Sequence, residues 1–270
     1  HADLTGLKKF GGEDARNGLE RASARETAVR VAAGTVCRQL LRALGIEVSG
    51  YVRAVGGAED GGEYAFEELS RRSADLMMMD AEAEKRAKQV IDDCAARGDT
   101  CGGVLELRVK GLKSGFGSCM TYAEKLDARL IAALMSVQAI KGAEVGLGFG
   151  VAARCGSGVH DEIFYDQTRG YYRKTNRAGG IEGGMSNGEE IVLRAAMKPI
   201  PTLMKGLETV DYRTHEAVRA ATERSDVCAI AACEVILESA LCCELAEVVL
   251  ERLGGDRMEE LAKRYGELPA

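Results

Sequence analysis

The sequence predicts an α+β fold with antiparallel β-sheets and packed helices. Residues 23–44 carry apolar side chains at the spacing of an amphipathic helix, and residues 80–97 and 125–139 predict two further helices. Residues 104–110 instead alternate between apolar and charged side chains, which is the pattern of a half-buried antiparallel strand. Helices and strands do not alternate as βαβ units, so a parallel sheet is not expected.

The other segments fit the same fold class. Residues 227–253 are almost wholly apolar, but spaced glutamates interrupt them, so they predict a core helix and not a membrane span. Residues 1–22 are rich in glycine and polar side chains and predict a loop. Further predicted elements are strands at 46–55, 143–153 and 190–197, a hairpin from 163–165 and 171–173, and a surface helix at 256–267.

Cap residues mark the ends of the two longest predicted helices. Ser23, with Glu26 three residues later, predicts a capping box at the start of the first helix. Gly45 follows the same helix and predicts a left-handed residue just beyond its end. Asp226 precedes the apolar helix and predicts its N-cap.

The composition narrows the classes of partner. The 270 residues are 46% hydrophobic and 29% charged, which predicts a folded core, and the net charge of −6 argues against broad nucleic-acid binding. A zinc site is not expected, because there are only three histidines and no C-x-x-C pair. A secreted disulfide framework is not expected either, because the number of cysteines, nine, is odd. No apolar run has the length of a membrane span. We therefore expect a cytoplasmic protein without a metal and without a membrane partner.

Two segments combine cations or glycines with a possible ligand-binding role. Arg21 and Arg25 flank Ser23 at a helix start, where free N–H groups and guanidinium groups suit phosphate or carboxylate. The spacing alone favours an ordinary cap with two solvated arginines. The glycines of residues 175–188 imply a backbone that passes close to a ligand or to another backbone, although composition alone favours a flexible loop.

Two more segments lie at the ends of buried elements. Residues 198–202 end a strand with two prolines, which stiffen the turn and can hold Lys198 and Thr202 toward a ligand; a plain strand terminator is equally consistent. Arg224 and Asp226 stand at the start of the core helix, where an anion site and a simple helix cap are the two alternatives.

Taken in this order and spacing, the segments resemble the chorismate synthase family. The resemblance runs from His1 to Gly255 and so covers nearly the whole chain. The strings Thr-Asn-Arg-Ala-Gly-Gly at 175–180 and Glu-Arg-Ser-Asp at 223–226 are similar to the branch common in Gram-positive bacteria. Other matching stretches are 21–27, 31–34, 125–128, 139–146, 159–162 and 198–202.

The resemblance implies an architecture and a reaction. It implies a chorismate-synthase-like α+β fold, in which antiparallel β-sheets sandwich a helical layer, and a homotetramer. It also implies a lyase of the shikimate pathway, which eliminates phosphate from 5-enolpyruvylshikimate 3-phosphate in an anti-1,4 sense to give chorismate. The family requires reduced FMN for this reaction. Some relatives reduce FMN with NADPH themselves, so NADPH is a candidate reductant.

Site residues follow from the resemblance by matched position. His1 matches one of two catalytic histidines, and Asp226 matches a carboxylate that positions the flavin for proton abstraction. Arg25 matches a substrate-binding position, and Arg224 matches an arginine between flavin and substrate. The positions that match flavin contacts are Arg21, Ala22, Ser23, Gln138, Ala139, Gly183, Lys198, Pro199, Ile200, Pro201, Thr202 and Arg224.

The same resemblance predicts that residues 1–270 are a single domain, incomplete at its N-terminus. The sequence starts at His1 without an initiator methionine, and the family's first catalytic histidine and two substrate-binding arginines find no match. We therefore expect the full-length parent to make chorismate and these residues alone not to do so. A non-catalytic flavin- or anion-binding fragment and a purely structural assembly module are the alternatives.

Overall fold

The computed structural model of the chain describes residues 2–12 and 14–269. Its helices are α1 (Asp3–Phe10), α2 (Ala15–Arg21), α3 (Thr27–Ala43), α4 (Ala81–Ala96), α5 (Leu126–Met135), α6 (Ile230–Leu253) and α7 (Met258–Glu267). Its longer strands are β1 (Glu47–Val55), β3 (Gly103–Lys110), β4 (Ile140–Val145) and β9 (Ile191–Met197). The shorter strands are β2 (Ala58–Glu59), β5 (Ile163–Asp166), β6 (Gly170–Arg173), β7 (Ile181–Glu182), β8 (Met185–Ser186), β10 (Glu208–Val210) and β11 (Ala217–Arg219).

The main sheet has five strands in the order β2-β1-β3-β9-β4, and every neighbouring pair is antiparallel. The pairs β5–β6, β7–β8 and β10–β11 form three separate two-stranded ribbons. The predicted α+β class is therefore confirmed. The alternation along residues 104–110 is explained by this sheet, because the apolar side chains of β3 lie on one face of the sheet and its charged side chains on the other.

The apolar face of the sheet packs against helices. Leu105, Leu107 and Val109 of β3 are fully or almost fully buried there, in one continuous core that includes most of α6. Helix α6 contacts β1 and β3, while α3 and α5 pack beside α6. Among the described residues the sheet covers one side of this helical layer, and the outer face of α3 leaves Val29 74% and Val36 68% exposed.

The other face of the sheet carries a buried ion network centred on Glu106. Its carboxylate accepts bonds from Arg53 at 3.0 Å, Arg108 at 2.7 Å and Arg194 at 2.9 Å. Burial alone would raise the pKa of Glu106, but hydrogen bonds and charge attraction from Arg108 and Arg194 outweigh it and lower that pKa. The network is thus ionised, and it crosses three neighbouring strands.

Two sequence predictions near the start of the chain are wrong. The stretch predicted as a loop, residues 1–22, is largely helical where the structure describes it, because it contains α1 and α2; Asp14 caps α2 by accepting from the Arg16 N–H at 2.9 Å. Ser23 caps only a 3₁₀ turn, Ala24–Glu26, and the Glu26 carboxylate binds other side chains instead of closing a capping box. Gly45 does adopt the predicted left-handed conformation, with φ of 77°.

The predicted cap of the core helix and one predicted strand also differ. Helix α6 begins at Ile230 without a side-chain cap, so Asp226 lies four residues before it and is not its N-cap. The strand expected at 143–153 is β4 at Ile140–Val145, followed by a 3₁₀ helix at Gly148–Ala153. Gly146 and Gly148 have positive φ, which turns the chain out of the strand conformation between them.

Candidate functional site

Several predicted site residues lie at one end of the main sheet, which we call the site edge. There Met197, the last residue of β9, is opposite Gly103 at the start of β3 and Ile140 at the start of β4. Because neighbouring strands are antiparallel, the end of β9 and the beginnings of β3 and β4 meet at this edge. The segments just outside those strands are therefore brought together, although they are far apart in the chain.

The turn before β4 has a strained backbone. Ala139 has φ of 70°, a conformation that residues with a side chain seldom adopt. Its carbonyl accepts a hydrogen bond of 2.9 Å from the Lys198 N–H, which joins the turn to the segment that follows β9. Strain of this kind costs about 1–3 kcal/mol, persists only where neighbouring contacts hold it, and is concentrated at functional sites.

Side chains from the start of α3 hold the same turn. The Glu26 carboxylate accepts from the Gln138 side-chain amide at 2.8 Å and from the Arg30 guanidinium at 2.9 Å. Arg30 also donates to the Ser136 hydroxyl at 2.7 Å. The start of α3 is therefore tied to the turn at both of its ends. Within the described residues, the Gln138 Oε1 atom is buried and has no hydrogen-bond partner.

The segment after β9 contacts the loop before β3. The Thr100 hydroxyl donates to the Ile200 carbonyl at 2.7 Å, and the Cys101 N–H donates to the Val227 carbonyl at 2.9 Å. Residues 198–202 and the chain that leads into α6 therefore lie against the same short loop. Lys198 and Thr202 are both partly buried in this arrangement.

Gly102 allows this close approach. A Cβ atom added at Gly102 would lie 2.1 Å from the Met197 carbonyl oxygen and 2.9 Å from the Pro199 nitrogen. We expect Gly102→Ala to push residues 198–202 away from the loop and to lower the free energy of unfolding by about 1–3 kcal/mol. Urea unfolding measures this loss. Gly61→Ala is the matched control, because nothing lies within 4 Å of its added Cβ; equal stability of the two variants would contradict the expectation.

The first cationic segment lies next to the site edge but remains largely solvated. Arg21 ends α2, and Ala22 and Ser23 lead into the 3₁₀ turn that contains Glu26. The Arg25 guanidinium is 2.6 Å from the Glu20 carboxylate, on the surface. Because Glu26 binds Gln138, this segment and the turn before β4 are adjacent in space.

The pair formed by Arg224 and Asp226 is exposed. The guanidinium and carboxylate are 3.8 Å apart, and the side chains are 89% and 77% solvent-accessible. The contact between Cys101 and Val227 places this pair beside the site edge. Its charges therefore face solvent there and are available to a ligand.

Gly183 is not brought to the site edge within the chain. It lies in the turn between β7 and β8, next to Gly184, whose carbonyl accepts from the Leu126 N–H at 2.8 Å. Leu126 begins α5, whereas the turn before β4 follows its end, and ten helical residues span roughly 15 Å. His1, the predicted catalytic histidine, lies outside the described residues.

Sequence reasoning missed the residues that assemble this site. Glu26 was assigned to a cap, and Arg30, Thr100 and Gly102 were not singled out. The consecutive glycines Gly102 and Gly103 were a usable signal, because a glycine pair at a strand start often marks a close backbone approach. The contact between Glu26 and Gln138 could not be predicted from local sequence, because the two residues are 112 positions apart.

The described residues contain neither a metal-binding cluster nor a membrane-spanning helix. In residues 2–12 and 14–269, no group of three or more histidine, cysteine, aspartate or glutamate side chains is arranged to hold a metal ion. Over the same part of the chain, no helix is both long enough and apolar enough to cross a bilayer. A groove of about 480 Å³ does lie between α5 and β4, but its lining includes none of the predicted site residues.

Comparison with known proteins agrees with the resemblance. The chorismate synthase family profile matches residues 1–250. Chorismate synthase of Geobacter sulfurreducens is 52% identical over 275 residues, covering 98% of this chain and 70% of the relative. That of the Gram-positive Caldicellulosiruptor bescii is 48% identical over 270 residues, with the same coverage. A crystal structure of a chorismate synthase superposes with a TM-score of 0.83 at 39% identity, covering 98% of this chain and 75% of that one.

These matches, together with the antiparallel α+β fold, define a lyase of aromatic biosynthesis. The chain belongs to the chorismate synthase family. Its function is the family's conversion of 5-enolpyruvylshikimate 3-phosphate to chorismate, and the family needs reduced flavin for it. Nothing in the comparisons favours the non-catalytic alternative.

Proposed function

We propose that the site edge binds reduced FMN next to 5-enolpyruvylshikimate 3-phosphate. The observation that carries the proposal is the convergence of four separate segments at this edge, through contacts of Glu26 with Gln138, of Lys198 with Ala139 and of Cys101 with Val227. The proposed flavin-binding residues there are Arg21, Ala22, Ser23, Gln138, Ala139, Lys198, Pro199, Ile200, Pro201, Thr202 and Arg224.

The donor groups fit the charges of both ligands. The substrate carries a phosphate and two carboxylates, and FMN carries a further phosphate. Among the described residues, the Lys198 ammonium and the Arg21 guanidinium have no ion-pair partner, and Arg224 has only its long contact with Asp226. A buried anion needs such charged donors, because its desolvation otherwise opposes binding. The net charge of −6 is therefore compatible with anionic ligands.

The buried oxygen of Gln138 and the strained Ala139 also fit a ligand. An acceptor without a partner is satisfied when a bound ring N–H reaches it. Reduced FMN, when bound, supplies the basic ring nitrogen that takes the proton lost from the substrate ring. We assign Asp226 to orienting that ring, Arg224 to holding the two ligands in contact, and His1 to proton donation near neutral pH.

The remaining assignments rest on the resemblance. Arg25 is proposed to bind a substrate anion, after release from Glu20, and Gly183 to contact the flavin. NADPH is the proposed reductant, the homotetramer the proposed assembly, and the cytoplasm the proposed compartment. The exposed Val29 and Val36 of α3 support burial of this face against further protein in the assembled enzyme.

Flavin titration of the purified protein tests the proposal. We expect saturable FMN binding, and we expect Arg224→Ala to weaken it about tenfold or more, because a charged hydrogen bond contributes about 1.5–3 kcal/mol. Arg213→Ala is the control, since Arg213 is an exposed arginine in the turn between β10 and β11. Absence of FMN binding, or equal affinity of the Arg224 and Arg213 variants, would overturn the proposal.

A further inference from the structure

We propose that Glu26 is a positioning residue that orients the Gln138 amide, so that its Oε1 atom faces the bound flavin as a hydrogen-bond acceptor. This inference rests on the proposed flavin site. Glu26 contacts Gln138 and does not contact the reacting atoms.

The chemistry of the two side chains determines the orientation. An ionised carboxylate can only accept hydrogen bonds, whereas an amide has a donating nitrogen and an accepting oxygen. Glu26 therefore selects the nitrogen of Gln138, and the bond between them is 2.8 Å long. The oxygen must then lie on the other side of the amide, where it is buried and unpaired within the described part of the chain.

Arg30 keeps the carboxylate of Glu26 in place. It donates to the same Glu26 oxygen at 2.9 Å and to Ser136 at 2.7 Å. The contact between Glu26 and Arg30 joins successive turns at the start of α3, and the contact with Ser136 reaches the end of α5. Arg30 lies within α3 and Ser136 is the C-cap of α5, so the amide orientation is held by residues at the ends of two helices.

The unpaired oxygen gives this arrangement a function. A buried acceptor without a partner is unfavourable in the free protein, and a ligand with a ring N–H at that position removes the penalty on binding. If residue 26 offered no acceptor, nothing would hold the nitrogen of the Gln138 amide on that side, and the amide would populate two orientations. Only one of them would accept from the ligand, so the apparent affinity would fall in proportion to the fraction in that orientation.

A double-mutant cycle on FMN affinity tests the inference, with fluorescence titration of the complete protein. We expect Glu26→Ala, which removes the acceptor, to weaken FMN binding about fivefold and Gln138→Ala about tenfold. Because Glu26 acts through Gln138, the double variant should bind no more weakly than Gln138→Ala alone. Glu82→Ala, at an exposed glutamate in the first turn of α4, is the matched control and should leave the affinity unchanged.

A second test exchanges the carboxylate of Glu26 and the amide of Gln138. Recovery of affinity in the exchanged pair cannot result from a loss of folding. Gln138→Glu alone sets two carboxylates against each other and should bind FMN more weakly than Gln138→Ala. Adding Glu26→Gln restores a donor–acceptor pair and should recover affinity relative to Gln138→Glu. Additive effects in the cycle, or no recovery in the exchanged pair, would disprove the role of Glu26 while leaving wild-type FMN binding intact. Failure of the wild type to bind FMN would instead disprove the flavin site itself.

Discussion

Glutamine in place of Glu238 is expected to lower the free energy of unfolding by about 3–5 kcal/mol, the usual cost of removing one partner from a buried ion pair. Glu238 lies inside the protein on α6 and accepts from the Gly50 N–H at 2.8 Å, from Arg38 at 2.6 Å and from Arg72 at 2.8 Å. An amide can accept with only one of its two polar atoms, so at least one of the two guanidinium groups, each on a side chain that is 22% exposed, would lose its bond to residue 238.

The neighbouring Glu234, one helical turn earlier, should respond in the opposite way. It is fully buried, accepts from Arg72 at 2.8 Å, and has one oxygen without a partner in the described residues. Burial and the adjacent Glu238 raise the pKa of Glu234 to about 9. Burial would also raise the pKa of Glu238, but the hydrogen bond from Glu234 and the charges of Arg72 and Arg38 lower it. The two carboxyls thus share one proton, held on Glu234.

The pH dependence follows from these directions. In the unfolded chain the pKa of a glutamate is near 4.3, whereas in the folded protein the pKa of Glu234 is about 9. Below about pH 4.3 the carboxyl is protonated in both states and does not oppose folding. As pH rises from there toward about 9, the unfolded chain loses this proton more readily than the folded protein does, so stability is lost. Glutamine resembles the protonated acid and does not titrate. Glu234→Gln should therefore leave stability nearly unchanged near pH 4 and make the protein increasingly more stable than wild type as pH rises from about 6 to 9.

Urea unfolding of the wild type and the two variants at about pH 4.5, 7 and 9 measures both effects. The two variants are matched, because each replaces one carboxyl of the same pair by an amide of the same size. Equal losses for Glu234→Gln and Glu238→Gln at every pH would show that the proton is not held on Glu234.

Alanine at Gly34 is the second substitution with a large expected effect. Gly34 lies where α3 crosses α6, and an added Cβ would be 2.5 Å from the Ser239 Cβ, 2.7 Å from its Cα and 2.8 Å from its carbonyl oxygen. Two of these three atoms are backbone of a buried helix, so the helices must separate. Overpacking of this kind costs about 1–3 kcal/mol, and here the cost should lie at or above the upper end, because no flexible side chain can move aside.

Gly266→Ala provides the control for helix propensity. Gly266 also lies in a helix, α7, but nothing is within 4 Å of its added Cβ, so the same exchange should be neutral or stabilising by up to about 1 kcal/mol. Thermal unfolding of both variants separates crowding from propensity. A Gly34→Ala protein as stable as the wild type would show that α3 and α6 are not in close contact.

Local patterns predicted the regular elements well. The apolar spacing of residues 80–97 corresponds to α4 at Ala81–Ala96, and the alternation of residues 104–110 corresponds to β3 at Gly103–Lys110. Such patterns are reliable because burial of one face imposes a period of 3.6 residues on a helix and of two on a strand. The ends of elements were less predictable. Asp226 has the chemistry of a cap, but α6 begins at Ile230, because contacts from the loop before β3 hold the preceding residues out of the helix.

The family, the α+β class and the types of residue at the site can be inferred from the amino-acid sequence alone, because motifs and periodicities are local properties of the chain. Which segments meet depends on the folded structure. The antiparallel order of β3, β9 and β4 brings Lys198 to Ala139, and the packing of α3 brings Glu26 to Gln138, across 112 residues of chain. The protonation of Glu234 likewise depends on burial and on groups from other elements, which no local stretch of sequence contains.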